Sequence, residues 1–588
     1  MNSKLPQSVL LKVGMGTCGI AAGARAIYDK LEEQVKNFQN IEIDYTSCNG
    51  FCHLEPLIET IIKGKTLLLA NLSAEQIPFL LENLTNKKLL SSKVLVIEKD
   101  KKLKGQNRIV LENCGIINPD KLNDYLEKDG YVALKKVLNN ISPEEVIENI
   151  KKSGLRGRGG AGFSTGIKWD LARKAQSEQK YVICNADEGD PGAFMDRAVM
   201  EGDPHRVIEG LIICGYAIGA SKGYIYCRAE YPLAIMRLRK AIIDAKESNL
   251  LGENVLNSGF GFEIIIKEGA GAFVCGEETA LIASVEGQRG MPRIKPPFPA
   301  TKGLWEKPTN INNVETLANI PWIIRKGADS FSALGTEKSP GTKVFSLAGK
   351  IKNAGLIEIE MGVSLRDIIY GIGGGSSTNK EVKAVQLGGP SGGCIPAEMF
   401  DTLVDYESLM STGAIVGSGG MVAVDEDTCM VDLAKYFLQF IQSESCGKCT
   451  FCRIGTKRML EILTRMTEGK SNMEELNKLR ALAQNIGVAS LCALGKTAPN
   501  PVMTTLRYFE SEYLEHINEK KCSTGVCKAL VIYTIDEQKC IGCTKCAKNC
   551  PVDTISGSLK KPHYIHQEKC IKCGNCEKVC PVGAVSKL

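Results

Sequence analysis

Eight cysteines near the C-terminus repeat one pattern twice: Cys540-x2-Cys543-x2-Cys546-x3-Cys550-Pro551 and Cys570-x2-Cys573-x2-Cys576-x3-Cys580-Pro581. Three closely spaced cysteines followed by Cys-Pro form the ligand run of a [4Fe–4S] cubane, and where two runs occur the fourth ligand crosses to the other cluster. The spacing thus assigns Cys540, Cys543, Cys546 and Cys580 to one cluster, and Cys570, Cys573, Cys576 and Cys550 to the second. The competing reading is a zinc ribbon or a disulfide framework. Zinc sites rarely need three close cysteines followed by Cys-Pro, and twice over still less. The runs are offset by 30 residues, an internal repeat. The implied chemistry is the movement of single electrons, which directs the reading of everything upstream.

A chain of 588 residues should hold about four domains. It is 44% hydrophobic and 24% charged, ordinary for a globular protein. A net charge of +6 is small for this length and carries no nucleic-acid or membrane signature. Cluster spacing, not pairing, accounts for most of the 24 cysteines, and thiolate-rich sites in a long enzyme-like chain suggest a reducing compartment. Met1–Leu11 lacks the basic-then-apolar order of a signal peptide. No run approaches the ~18 apolar residues of a membrane span; Leu211–Ala220 is apolar but short and glycine-interrupted, as in a buried helix. The expectation is a cytoplasmic protein.

The pattern along the chain predicts an α/β multidomain protein. Residues 1–110 run strand, helix, strand: Ser8–Val13, a helical stretch to about Lys36, then a strand ending at Thr46-Ser47-Cys48-Asn49-Gly50-Phe51-Cys52. Residues 120–340 begin with a helical region and alternate strands with helices around a glycine-rich centre. Residues 341–426 are rich in glycine, β-branched residues and turns, a compact α+β pattern. Residues 427–515 carry Leu, Lys and Glu at helix spacing. Residues 516–530 form a hinge, and 531–588 hold the double cysteine run.

Three segments point to a nucleotide. Gly154-Leu-Arg156-Gly157-Arg158-Gly159-Gly160-Ala-Gly162-Phe163 formally contains G-x-G-x-x-G and precedes Ser164-Thr-Gly-Ile-Lys168-Trp169. Glycines permit close backbone approach, and consecutive N–H groups at a helix start cradle phosphate. Arg158 and Lys168 would neutralise the remaining charge; a plain tight turn is the alternative. Asn185-Ala-Asp187-Glu188-Gly-Asp190 sets three carboxylates within four residues, which repel unless a partner or polar ligand takes them. Gly276-Glu277-Glu278-Thr279 opens a helix, where acidic residues also favour the macrodipole.

With Lys295-Pro-Pro-Phe298-Pro299 and Asn310-Ile-Asn312-Asn313, these segments resemble the FMN- and NADH-binding flavoprotein subunit of complex I and NAD-linked hydrogenases, over about residues 120 to 515. The resemblance implies FMN contacts at Gly157, Arg158, Gly159, Lys168, Asn185, Asp187, Gly276, Glu277, Asn312 and Asn313, with Gly160, Gly162 and Glu188 completing the cofactor-binding set. Phe163, Glu278, Lys295 and Phe298 would face NADH, the two phenylalanines offering stacking surfaces. Asp190 and Glu278 would lie near nicotinamide; the complex I pattern has glutamate where this chain has Asp190. No catalytic side chain is implied, because flavin performs the hydride transfer. Residues 120–340 would be a Rossmann-like FMN/NADH domain, 341–426 a β-grasp domain and 531–588 a two-cluster ferredoxin domain.

Ser445-Cys446-Gly-Lys-Cys449-Thr-Phe-Cys452, with Cys492 some forty residues on, supplies four thiolates to a third cubane and resembles the family's [4Fe–4S] site in a helical-bundle domain. Zinc is the alternative there. Residues 1–110 resemble a thioredoxin-like [2Fe–2S] domain, which usually carries C-x4-C and then C-x3-C. The second pair is present as Cys48 and Cys52. The first has only Cys18, with Gly14, Gly19 and Gly23 where another thiolate would be sought and Cys114 as a distant candidate. An intact [2Fe–2S] cluster and a vestigial docking domain both remain open. His516, Cys522 and Cys527, with Cys429 as fourth ligand, suit a small zinc site at the hinge; ordinary buried thiols are the alternative. Cys184, Cys214, Cys227, Cys275 and Cys394 are read as core residues. Five histidines are too few to suggest a histidine-based catalytic site.

The whole layout resembles the NAD-binding B subunit of electron-bifurcating [FeFe]-hydrogenases, with similar subunits in bifurcating transhydrogenases and NAD-linked formate dehydrogenases. That implies an NADH dehydrogenase-type oxidoreductase subunit holding FMN, NAD(H), three [4Fe–4S] clusters, with a [2Fe–2S] and a zinc as open additions. Its partners would be ferredoxin, a small thioredoxin-like [2Fe–2S] subunit and a catalytic subunit, with H2, NADPH or formate as the alternatives for the third redox couple. A wiring or scaffold protein with a degenerate flavin pocket, or a formate dehydrogenase component, is the alternative. Asp187, Glu188, Asp190 and Glu278 would repel a 2′-phosphate, which favours NAD over NADP.

Overall fold

The computed structural model describes residues 9–38, 40–62, 64–85 and 94–587. The first eight residues, part of the stretch read as lacking a signal peptide, lie outside them. Two compact units result, Met1–Ala423 and Val424–Leu588.

Among the described residues, the first unit holds three sheets. The N-terminal one is built from β1 (Val9–Gly14), β2 (Ile41–Thr46), β3 (Ile58–Ile62), β4 (Lys65–Ala70) and β5 (Leu95–Glu98), in the order β2-β1-β3-β4-β5. Only β1 and β2 run parallel, because a helix crossover, Thr17–Ala21 and Ala24–Gln34, joins them. The helix buries Ala24, Ile27 and Leu31, one face at i, i+3 and i+7.

The central sheet is wholly parallel: β6 (Tyr181–Ala186), β7 (Lys222–Arg228), β8 (Glu263–Gly269) and β9 (Thr309–Asn313), ordered β8-β7-β6-β9. Gly223–Cys227 of β7 are all buried, as expected of a strand covered on both faces. Helix Pro204–Ile218, which contains the apolar run at 211–218, is buried at all but one position. No helix among the described residues is long and apolar enough to cross a membrane.

Helix Pro143–Ser153 shows how local sequence aims the chain at the glycine loop. Ser142 Oγ accepts from Glu145 N at 3.3 Å and the Glu145 carboxylate accepts from Ser142 N at 2.8 Å, a reciprocal cap with Pro143 at the first position. Gly154 ends the helix at φ +67°, and a Cβ there would stand 2.6 Å from Pro340.

The third sheet comprises β10 (Thr342–Gly349), β11 (Gly355–Glu360), β12 (Val382–Leu387), β13 (Gly393–Pro396) and β14 (Gly420–Asp425), in the order β11-β10-β14-β12-β13.

In the second unit, helices Met430–Ser443, Thr456–Thr467, Met473–Ala489 and Asn500–Tyr508 share one core that includes Met459, Ile462, Leu463 and Met466. The C-terminal region is a duplicated small fold. Strand β15 (Tyr533–Ile535) pairs with β18 (Val585–Lys587), and β16 (Ile555–Ser556) with β17 (Tyr564–Ile565).

Candidate nucleotide crevice and metal centres

In the parallel sheet the strand order reverses between β6 and β9, and ligand crevices open at the carboxyl ends of strands at such a switch. Asn185 near the end of β6 and Asn312 and Asn313 at the end of β9 meet there. Asn185 Nδ2 donates to Gly276 O at 2.9 Å and its Oδ1 accepts from Asp187 N at 3.1 Å, tying the acidic turn to the third glycine segment. Asn313 caps helix Val314–Lys326 through Thr316 N (3.3 Å) and donates to Asp196 Oδ2 at 2.5 Å. Asn312 Oδ1 accepts from Trp169 Nε1 at 2.8 Å.

The glycine-rich segment folds back on itself. Gly157 N donates to Phe163 O at 2.8 Å and Thr165 N to Leu155 O at 2.9 Å, delivering the chain into helix Thr165–Lys174. Tyr406 props it from below: its hydroxyl donates to Gly157 O at 2.8 Å, and the Arg156 guanidinium lies 4.1 Å from its ring centre. Gly162 adopts φ +62°, and a Cβ on it would stand 2.7 Å from that ring. At Gly157 and Gly276, by contrast, a Cβ would meet nothing nearer than 3.6 Å. A methyl group at either position would make only ordinary van der Waals contact, with Phe163 and Asp187 respectively. Gly162→Ala is expected to displace the loop through both backbone strain and collision. The purified variant should hold less than about a tenth of the wild-type flavin at a lowered melting temperature, which absorbance and thermal scans check.

Charge placement departs from the sequence expectation at Arg158. Its side chain is fully buried and donates to the carbonyls of Thr342 (2.9 Å), Pro340 (2.7 Å) and Arg156 (3.2 Å). The guanidinium therefore fastens the loop to β10 and does not face a ligand; a phosphate's countercharge has to come from elsewhere. Lys168 Nζ donates to Glu278 at 3.2 Å, while Lys295 Nζ donates to Glu277 at 3.1 Å and to Glu278 at 2.9 Å. Burial raises the Glu278 pKa, but the two ammonium groups outweigh it and hold the carboxyl below its ordinary value. Glu277 also caps helix Glu278–Val285, accepting from Thr279 N and Ala280 N. The repulsion expected from Glu278 is thus largely spent on lysines, which the sequence argument did not count.

Glu188 is buried and turns inward, accepting from the N–H groups of Asp196 and Arg197 at 3.1 Å each. Asp187 is buried at the same turn. Asp190 accepts from the Ser418 hydroxyl and lies against Gly389. Burial, reinforced by the Glu188 charge, pushes its carboxyl up to about 6 despite the Ser418 hydrogen bond. The folded chain therefore keeps a proton that the unfolded chain has already lost, so this group's contribution is full below about pH 4 and disappears as pH rises through about 6. Asp190→Asn is expected to raise the melting temperature at about pH 8 and to leave it nearly unchanged at about pH 4; a pH series of thermal scans checks the sign. Phe163 and Phe298 are 54% and 58% exposed, unusual for phenylalanine and consistent with rings awaiting a planar partner.

Within the second unit, the double cysteine run forms two lined hollows. One is bordered by Cys540, Cys543, Cys546 and Cys580, the other by Cys550, Cys570, Cys573 and Cys576, so each takes its fourth thiol from the other run. Thr554 N donates to Cys550 Sγ at 3.4 Å and Ala584 N to Cys580 Sγ at 3.2 Å, the same bond in both halves. In the helical core, Cys452 lies in a π-helical turn, Phe451–Gly455, with its sulfur 3.2 Å from Ser445 Oγ. Cys492 caps the short helix Ala493–Thr497, whose Gly495 approaches Cys452 so closely that a Cβ would stand 3.1 Å from it. Burial, then the neighbouring Cys449, Cys492 and Cys446, push the Cys452 thiol up to about 11. The other three thiols are thus near enough to act on Cys452 electrostatically, and the four together are a donor set that fits a cubane.

Cys429, His516, Cys522 and Cys527 are all buried, and one ligand atom from each lies within 4.8 Å of the others. His516 Nε2 is 3.4 Å from Cys429 Sγ and 3.3 Å from Cys527 Sγ, while Nδ1 donates to Glu512 O at 2.7 Å. That bond fixes the tautomer whose free lone pair points at the thiols, the usual outer support of a metal-binding imidazole.

In the N-terminal region, Cys52 lies within hydrogen-bonding reach of both Cys18 and Cys48. The Arg197 guanidinium donates to Cys18 Sγ at 3.6 Å. Cys114, the distant candidate for a further ligand, is packed instead in the core of the central sheet with its sulfur against Ala198 O. Cys184, Cys214, Cys227, Cys275 and Cys394 are buried.

A parallel-sheet nucleotide crevice on the same polypeptide as three four-thiol sets is the arrangement of an iron–sulfur flavoprotein. Comparison with known proteins agrees. Residues 150–322 match the Nuo51 FMN-binding domain, 432–516 the iron–sulfur binding region of NADH-ubiquinone oxidoreductase-F, and 533–587 a 4Fe-4S dicluster domain. The chain is 59% identical over 460 residues to HndC, a component of the NADP-reducing hydrogenase of Solidesulfovibrio fructosivorans, covering 78% of this chain and 94% of that one. It is 45% identical over 414 residues to the F 2 component of the NADH-quinone oxidoreductase of Rhizobium meliloti, covering 70% and 98%. The crystal structure of an NAD+-reducing [NiFe]-hydrogenase in the H2-reduced state aligns with a TM-score of 0.63 at 28% identity, over 87% of this chain and 85% of that one. The chain belongs to the NuoF-like family, oxidoreductase subunits of NADH dehydrogenase type with an FMN-binding and a [4Fe–4S] domain.

Proposed function

We propose that this chain is the NAD(H)-reactive subunit of a multisubunit electron-bifurcating complex. The observation that carries the reading is the crevice at the β6/β9 switch, with its glycine segments and its paired lysines and glutamates, encoded together with three four-thiol sets. The residues fit FMN: Gly157 and Gly276 present backbone without side chains at the crevice, and Lys168 supplies a cation there. Bound FMN supplies hydride exchange with NADH and release of the pair as single electrons. The protein's share is orientation and electrostatics. Asn185, Asn312 and Asn313 are held by their own hydrogen bonds at the strand ends, Lys295 and Glu278 set the charge, and Phe163 and Phe298 offer faces for stacking.

Single electrons would reach the Cys446/Cys449/Cys452/Cys492 cubane and the two C-terminal cubanes. Such clusters can lie near ~−400 mV, below the reach of NADH alone. That gap favours coupling to a third couple in another subunit. The name of the 59%-identical relative favours hydrogen and NADP(H) there over formate. Anaerobic mixing of the native complex with NADH and ferredoxin, with and without the third partner, tests the coupling. Ferredoxin reduction only when the partner is present is expected; uncoupled reduction contradicts it.

The strand order β2-β1-β3-β4-β5 supports a thioredoxin-like reading of residues 1–110, and β11-β10-β14-β12-β13 a β-grasp reading of 341–426. Cys429, His516, Cys522 and Cys527 would hold zinc, a donor set that suits a closed tetrahedral site. NAD(H) over NADP(H) remains the expected preference, resting on Asp187 and Asp190 now that Glu278 is paired with lysines and Glu188 turns inward. Comparing NADH and NADPH oxidation with an artificial acceptor checks it; equal rates would discard it.

A further inference from the structure

The N-terminal cysteine set is one thiol short of a four-thiolate cluster, and the structure shows what stands in the gap. A Cβ on Gly14 would lie 3.3 Å from Glu55 Oε2 and 3.4 Å from Oε1; a Cβ on Gly19, beside Cys18, would lie 3.0 Å from Oε2. Both glycines that occupy the neighbourhood of the missing thiolate therefore face one carboxylate. At Gly23 a Cβ would meet only Pro56, 3.9 Å away. Glu55 follows the turn Cys52–Leu54, with its N–H bonded to Cys52 O at 3.3 Å, so the backbone that places Cys52 also places this side chain.

Glu55 is 9% exposed. Oε2 accepts from Leu57 N at 3.1 Å, while Oε1 has no hydrogen-bond partner. An unpaired oxygen on a buried carboxylate is costly unless a proton, a cation or a metal takes it. The nearby guanidinium of Arg197 is engaged elsewhere, with Cys18 and Glu201.

We propose that Glu55 is the fourth ligand, through a carboxylate oxygen, of an iron–sulfur cluster held by Cys18, Cys48 and Cys52. The proposal rests on the reading of residues 1–110 as cluster-bearing. A carboxylate is a harder ligand than a thiolate of the same charge, so exchanging one for the other alters the electronic structure and the potential of the cluster.

The test uses the full chain, isolated anaerobically, with iron counting and EPR at a temperature where cubane signals have broadened away. The wild type should hold about 14 irons and show a slowly relaxing binuclear signal. Glu55→Cys should keep the iron, shift the g values and move the midpoint potential. Glu55→Ala should lose about 2 of the about 14 irons with flavin content unchanged. If both variants keep the wild-type spectrum, potential and iron, Glu55 is not a ligand although the cluster exists. If the wild type holds about 12 irons and no such signal, the cluster reading itself fails and the ligand with it.

Discussion

Cys429→Ser is expected to remove close to one zinc per chain and to lower the melting temperature of the 424–588 unit by about 10 °C or more. Zinc binding to a preformed Cys/His set is folding free energy, about 10–16 kcal/mol in isolated fingers. Even a loss of about 4 kcal/mol moves a unit of this size by roughly that many degrees. The four ligands come from three places in the sequence, the cap of helix Met430–Ser443, the turn at His516 and the 522–527 segment, so the metal would close a loop of nearly one hundred residues. Because the thiols must be deprotonated to bind, affinity falls as pH falls, and zinc should leave on mild acidification before the unit unfolds. Metal analysis and thermal scans of wild type and variant, with and without chelator, check both statements.

Cys492→Ser is expected to separate the two halves of the chemistry. Cys492 is remote in sequence from Cys446, Cys449 and Cys452 and is brought to them by the cap of helix Ala493–Thr497. Its loss should empty that cubane, lowering iron by about 4 per chain. NADH should still bleach the flavin and reduce a two-electron artificial acceptor at near wild-type rate, while electron delivery to the C-terminal clusters falls to background. Equal loss of both activities would instead mean that this cluster also supports the flavin crevice.

The metal centres are far more legible in the sequence than the crevice. Cysteine spacing is a local code: C-x2-C-x2-C-x3-C-P dictates its own loop, and the exchanged fourth ligands appear in the structure as two hollows with mixed linings. Cys429 can be selected because the hinge ligands lack a partner, and the fold brings it to them. The crevice depends on tertiary placement that no motif carries. Arg158 has the composition of a phosphate ligand, yet its guanidinium is taken by three carbonyls, two of them some 180 residues away. Tyr406 supports the glycine loop from outside the central sheet and has no local signal. Lys168 and Lys295 look like ligand contacts in the sequence, but their pairing with Glu277 and Glu278 spans 17 to 110 residues and changes the charge argument. Glu55 belongs to no expected motif and becomes visible only as a buried carboxylate that faces two glycines and has one orphaned oxygen.

Rapid anaerobic mixing of the fully iron-loaded native complex with NADH, its third redox partner present, followed by absorbance near ~450 nm and by freeze-quenched EPR, would address the link between nucleotide and clusters. The flavin band should bleach first and cluster signals should follow. Iron-replete protein that holds no flavin, or whose clusters stay oxidised while NADH is in excess and the third partner is present, would contradict it.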